Sequence, residues 1–116
     1  MEQEKKKFFI TTAFPYPNSP QHLGHARTYS TADTYARYKK LFGYNVLFPM
    51  AFHVTGTPIL GMAERIKEND KEIIDVLTNI YGIDKETLKE LADPYKLVMY
   101  FSNEIEKGMK EMHFLI

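Results

Sequence analysis

Two short runs of β-branched and aromatic residues flank one long helical stretch, and this pattern constrains the chain more than any other feature in it. Phe8-Phe9-Ile10-Thr11-Thr12-Ala13 reads as a strand. It runs into a loop containing Pro15, Pro17 and Pro20. Each proline fixes φ and lacks an N–H, so the loop is stiff and lies outside any regular element. From His22 to Phe42, the residues Ala26, Tyr29, Ala32 and Ala36 recur at helical spacing, and Gly43 stands just past the expected helix end. Tyr44-Asn45-Val46-Leu47-Phe48 reads as a second strand, halted by Pro49. Strand, helix and strand in this order make a βαβ unit with parallel strands and a right-handed crossover. One helix covers only one face of such a sheet, so other residues must cover the second face.

The rest of the chain reads as helical. Ile59 to Glu68 forms one helix, Asp70 is the N-cap of another ending at Gly82, and Asp84 caps a short helix through Leu91. Asp93-Pro94 places a capping residue before a proline at the first helical position, opening a helix to about Met112. His113-Phe114-Leu115-Ile116 reads as the start of a further strand, in a chain expected to be cut from a longer protein. Its 116 residues suit one domain with an ordinary core. No cysteine is present, which excludes a disulfide scaffold, thiolate metal sites and cysteine nucleophiles, and fits a cytoplasmic protein. Fifteen Lys and Arg balance fifteen Asp and Glu, without the basic excess of a freestanding nucleic-acid binder. No apolar run approaches the roughly 18 to 20 residues of a membrane span. Glu2 to Lys7 mixes both charges and reads as a solvated lead-in rather than a signal segment.

The residues with the most chemistry are His22-Leu23-Gly24-His25, where the proline-rich loop feeds the helix. Two histidines three apart share one side of the first turn, beside unpaired backbone N–H groups and the positive end of the helix dipole. This suits anionic oxygens, with the imidazoles adding donors where charge grows on a phosphate. Gly24, without a Cβ, would let a flat ligand such as a base or ribose lie against the helix start. A His-x-x-His pair alone also fits ordinary core or surface histidines, or a metal site with His53 as third ligand. The βα junction favours nucleotide phosphates, which in parallel α/β sheets bind at the carboxyl ends of strands. The two common glycine-rich phosphate fingerprints are missing.

The run from Ala13 to Tyr29, Ala-Phe-Pro-Tyr-Pro-Asn-Ser-Pro-Gln-His-Leu-Gly-His-Ala-Arg-Thr-Tyr, resembles the ATP-binding signature of class I aminoacyl-tRNA synthetases. The run from Asn45 to Ile59, Asn-Val-Leu-Phe-Pro-Met-Ala-Phe-His-Val-Thr-Gly-Thr-Pro-Ile, resembles the archaeal and eukaryotic leucyl type within that family. The resemblance implies the first half of a Rossmann-like α/β catalytic domain over residues 1–116, followed by helices. It implies activation of leucine by MgATP to leucyl-adenylate and transfer to tRNA(Leu). On it, His22 and His25 match the histidines that stabilise the phosphates, and Gly24 matches the glycine beside adenine and ribose. Phe14, acting through its carbonyl, and Tyr16, through its ring, match the loop that holds the amino acid. His53 falls where bacterial relatives carry an aspartate for the substrate ammonium, on a loop shared with Gly56. For Tyr16 and His53 the competing reading is packing. The second signature, Lys-Met-Ser-Lys-Ser, is absent, as are editing and anticodon-binding parts, so the isolated chain is expected to be inactive and to self-associate through its uncovered sheet face. The alternatives are an isoleucyl, valyl or methionyl member of the family, or a histidine-based metal or nucleotide module.

Overall fold

The computed structural model describes residues 4–116, so Glu2 and Gln3 of the charged lead-in lie outside the described residues. Glu4 to Lys7 are exposed. The architecture is mixed α/β. Strand β1 (Lys7–Phe9) pairs in parallel with β2 (Asn45–Leu47), in the register Lys7 with Asn45, Phe8 with Val46 and Phe9 with Leu47. The Asn45 N–H donates to the Lys6 carbonyl at 2.7 Å, and the Ile10 N–H to the Leu47 carbonyl at 3.0 Å. Both strands are shorter than the sequence suggests. A ladder needs a partner for each residue, and β2 stops just before Pro49, so Thr11, Thr12 and Ala13 follow β1 without being part of it.

The chain forms two compact units. The first comprises residues up to Pro15, Gln21–Ala51 and Lys107–Ile116; the second comprises Tyr16–Pro20 and Phe52–Glu106. In the first, helix α1 (Leu23–Leu41) joins the two strands as expected, with His22 as its N-cap. Its C-terminus is closed by Gly43 at φ +85°, whose N–H donates to the Lys40 carbonyl at 3.0 Å. Lys39 and Lys40 occupy the last turn, where the helix dipole favours positive charge. Ala32 and Ala36 let α1 approach Phe48, with Ile10, Val46 and Leu115 packed around them. Phe8 meets Tyr35 edge to face at 5.3 Å, and the Lys39 ammonium sits 4.7 to 5.7 Å from the rings of Phe8, Tyr35 and Tyr44. Asp33, buried on α1, accepts a bond from Arg37 Nε at 2.9 Å and another from the Leu115 N–H, while Arg37 also donates to the His113 carbonyl. These bonds explain why 113–116 is not the strand the sequence suggests. His113 turns at φ +57°, and its carbonyl and the Leu115 N–H are taken by side chains of α1.

The second unit holds α2 (Thr57–Lys67), α3 (Lys71–Asp75), α4 (Lys85–Glu90) and most of α5 (Pro94–Glu111). All three aspartate caps are in place. Asp70 accepts from the Glu72 and Ile73 N–H groups, Asp84 from Thr87 N–H at 2.7 Å, and Asp93 from Tyr95 N–H at 3.0 Å. The Arg65 guanidinium, 2.8 Å from Asp70, is the main reason that carboxyl titrates below its usual value. The helix expected to run unbroken to Gly82 instead widens into a π-turn at Val76–Ile80, where Tyr81 N–H reaches the Val76 carbonyl five residues back. Phe101, Leu97 and Leu91 anchor the core, with Ile59, Ala63, Ile66 and Leu77.

Candidate functional site

His22 closes the N-terminus of α1 in an unusual way. Its backbone is extended, and its Nδ1 accepts the Gly24 N–H at 3.0 Å. His25 Nδ1 in turn accepts the His22 N–H at 3.3 Å. Two imidazoles thus fill the reciprocal roles that a Ser or Thr and a Glu or Gln take in a capping box. Because both Nδ1 atoms accept, this hydrogen-bond pattern assigns the proton of each neutral ring to Nε2. The two rings lie 3.9 Å apart at 43°. They bring two Nε2–H donors to a helix end with unpaired backbone donors and positive dipole character. That is chemistry for anionic oxygens.

Burial, and then the nearby His22 charge, hold His25 below the usual imidazole value. Tyr29 lies one turn further on, nearly parallel to His25 at 6.3 Å, with its hydroxyl 2.9 Å from Gln21 Oε1. Sequence reasoning gave Tyr29 a packing role, and it is only 3% exposed. It missed that the same residue backs the His25 ring and ties down the residue before the cap. The signal was the four-residue spacing, which stacks side chains along a helix. A shallow groove opens beside Gly24, lined by Ile10, Arg27, Thr28, Thr31 and Tyr35. Arg27 is an exposed cation on this groove.

The second unit gathers Tyr16, His53 and Gly56. The Tyr16 and His53 rings are 5.1 Å apart at 34°. Gly56 has φ +118° and ψ 173°, a backbone region held essentially by glycine alone. There it turns the chain into α2 before Thr57-Pro58, and a Cβ on it would stand 3.8 Å from the Tyr16 ring. Asn18 of the proline loop donates to the Pro58 carbonyl at 3.4 Å, so Tyr16 and Gly56 sit on segments joined within one unit. His22, Gly24 and His25 therefore form one group, and Tyr16, His53 and Gly56 form another. Phe14 is half-buried in the loop after β1. Among the described residues no three His, Asp or Glu side chains gather as a metal ion would require.

The family model described as tRNA synthetases class I (M) matches residues 8–104, most of the chain and both groups of candidates. The chain belongs to the class I tRNA synthetases. Within this family it is similar to leucine–tRNA ligase 2 of Sulfurisphaera tokodaii, 57% identical over 96% of this chain and 12% of the relative. Leucine–tRNA ligase 2 of Sulfolobus acidocaldarius is also 57% identical over the same shares. Leucine–tRNA ligase of Methanopyrus kandleri is 50% identical over 97% of this chain and 12% of the relative. The chain thus spans about an eighth of the length of these synthetases. Among the described residues no helix is long and apolar enough to cross a membrane.

Proposed function

We propose that the chain is the N-terminal part of the catalytic domain of a leucine–tRNA ligase, carrying half of its ATP and leucine sites. The observation that carries this reading is the reciprocal histidine cap, which occupies both Nδ1 atoms at the helix start and leaves Nε2 of each ring as the donor. The parallel β1–α1–β2 unit supports a Rossmann-like fold for the domain, in which ligands meet the carboxyl ends of the strands.

ATP, bound with its Mg²⁺, supplies the phosphoryl centre that the leucine carboxylate attacks, with release of pyrophosphate. His22 and His25 stabilise negative charge growing on the phosphate oxygens, through hydrogen bonds and position rather than as nucleophiles. Gly24 and the groove beside it lie on the nucleoside side. Phe14, Tyr16, His53 and Gly56 form the leucine side. A neutral His53 accepts one hydrogen bond from the substrate ammonium and adds no charge, unlike an aspartate. Transfer to the terminal ribose of tRNA(Leu) follows in the whole enzyme, which on this reading is cytoplasmic. The isolated chain lacks the second phosphate-binding signature and is inactive.

Leucine is favoured over isoleucine, valine and methionine by Phe52-His53-Val54-Thr55-Gly56, which has no acidic residue before its glycine. The test is amino-acid-dependent ATP–pyrophosphate exchange by the full-length protein carrying this segment. Leucine is expected to support exchange at least tenfold better than the other three. Preference for any of them overturns the leucine assignment.

A further inference from the structure

Gly24 has a role in this structure that neither its backbone conformation nor a ligand accounts for. A Cβ built on it would fall 2.8 Å from His22 Cε1 and 3.0 Å from His22 Nδ1. Both are closer than carbon atoms in contact tolerate. The obstacle is the ring that Gly24 holds through its own N–H. His22 is exposed, so the ring has space to swing away, and a methyl group at position 24 would displace it while leaving the helix backbone in place.

We infer that Gly24 is a positioning residue that seats the His22 imidazole in its capping pose, and through it fixes the Nε2–H tautomer and direction of the phosphate-facing donor. Three observations converge. The Gly24 N–H occupies His22 Nδ1, which leaves the ring proton on Nε2. The space a Cβ would fill is already taken by that ring. The seated ring also lies 3.9 Å from the His25 ring, so displacing it removes the ring against which His25 packs, while the His22 backbone N–H stays on His25 Nδ1. This rests on the proposed phosphate role of His22. It differs from the reading in which Gly24 merely clears room for a base or ribose, because the partner of Gly24 here is a side chain of the same chain.

A double-mutant cycle in the full-length protein separates the two accounts. Gly24→Ala is expected to lower kcat for leucine-dependent pyrophosphate exchange about tenfold or more, with a smaller change in KM for ATP. In a His22→Ala background the glycine substitution has no ring to displace, so the two losses are expected not to add. Additive losses, or a Gly24→Ala loss confined to KM for ATP, overturn the inference in favour of direct contact with the nucleotide. A second measurement does not depend on catalysis. Hydrogen–deuterium exchange at the His22 ring C2 position, followed by mass spectrometry across pH, is expected to shift its midpoint and speed up on Gly24→Ala. An unchanged profile overturns the seating. A changed profile with His22→Ala leaving exchange activity intact retains the seating and instead refutes the phosphate role.

Discussion

At the scale of the residue, the cap is sensitive to protonation. His25 is held below the usual imidazole value of 6.5, first by burial and then by the His22 charge. A depressed value means that the unfolded chain binds the proton more readily. Stability is therefore full above about pH 6.5, where both states are neutral, and falls as pH drops through the lower folded value. Protonation also converts Nδ1 from acceptor to donor and breaks its bond with the His22 N–H. The first turn of α1 is thus expected to open in mildly acidic solution, with His25 titrating below the usual imidazole value when followed by ring-proton NMR. His25 titrating at or above 6.5 without ligand would contradict this. Loss of a capping side chain costs about 1 kcal/mol, so the opening is local. Gly24 and Gly56 show why sequence alone left their roles open. Both matched a motif, yet one is explained by a neighbouring ring and the other by φ +118°, and neither fact is encoded in spacing.

At the scale of the element, what could be read from the sequence tracks how local its cause is. The caps Asp70, Asp84 and Asp93 act within three residues and were legible, as was Gly43, whereas the capping role of His22 was not read from its position at the helix start. Strand length was not, because it depends on what the partner strand offers, and neither was the end of the chain, where Asp33 and Arg37 bind backbone groups more than seventy residues away. The strand pair carries a prediction of its own. Phe8 and Val46 face α1, while their neighbours Phe9 and Leu47 stand side by side, 62% and 60% exposed. Burying such side chains gains about 1.5 to 3 kcal/mol each, which exceeds the entropic cost of association only at high concentration. The isolated 116-residue chain is expected to sediment heavier than a monomer as concentration rises, and Phe9→Lys with Leu47→Lys to restore the monomer. A clean monomer throughout would contradict it.

At the scale of the whole molecule, the candidates are divided unequally. Of the residues proposed for the leucine side, Tyr16, His53 and Gly56 belong to a unit whose buried cluster includes Phe101, Leu97, Leu91 and seven more apolar residues, whereas Phe14 and the histidine pair belong to the unit in which Ala32, Ala36 and Phe48 form a buried cluster. The family was legible in two short motifs because their residues are chosen by chemistry. The division into two units was not, since both motifs and the loops between them read as one continuous α/β domain. The central claim is that His22 and His25 act on phosphates in leucine activation. It is tested most directly by leucine-dependent ATP–pyrophosphate exchange in the full-length protein carrying His22→Ala or His25→Ala, with thermal unfolding measured alongside. The account predicts a fall in kcat of about 10²-fold or more for each variant, with folding retained. Exchange at the parent rate in both would contradict it.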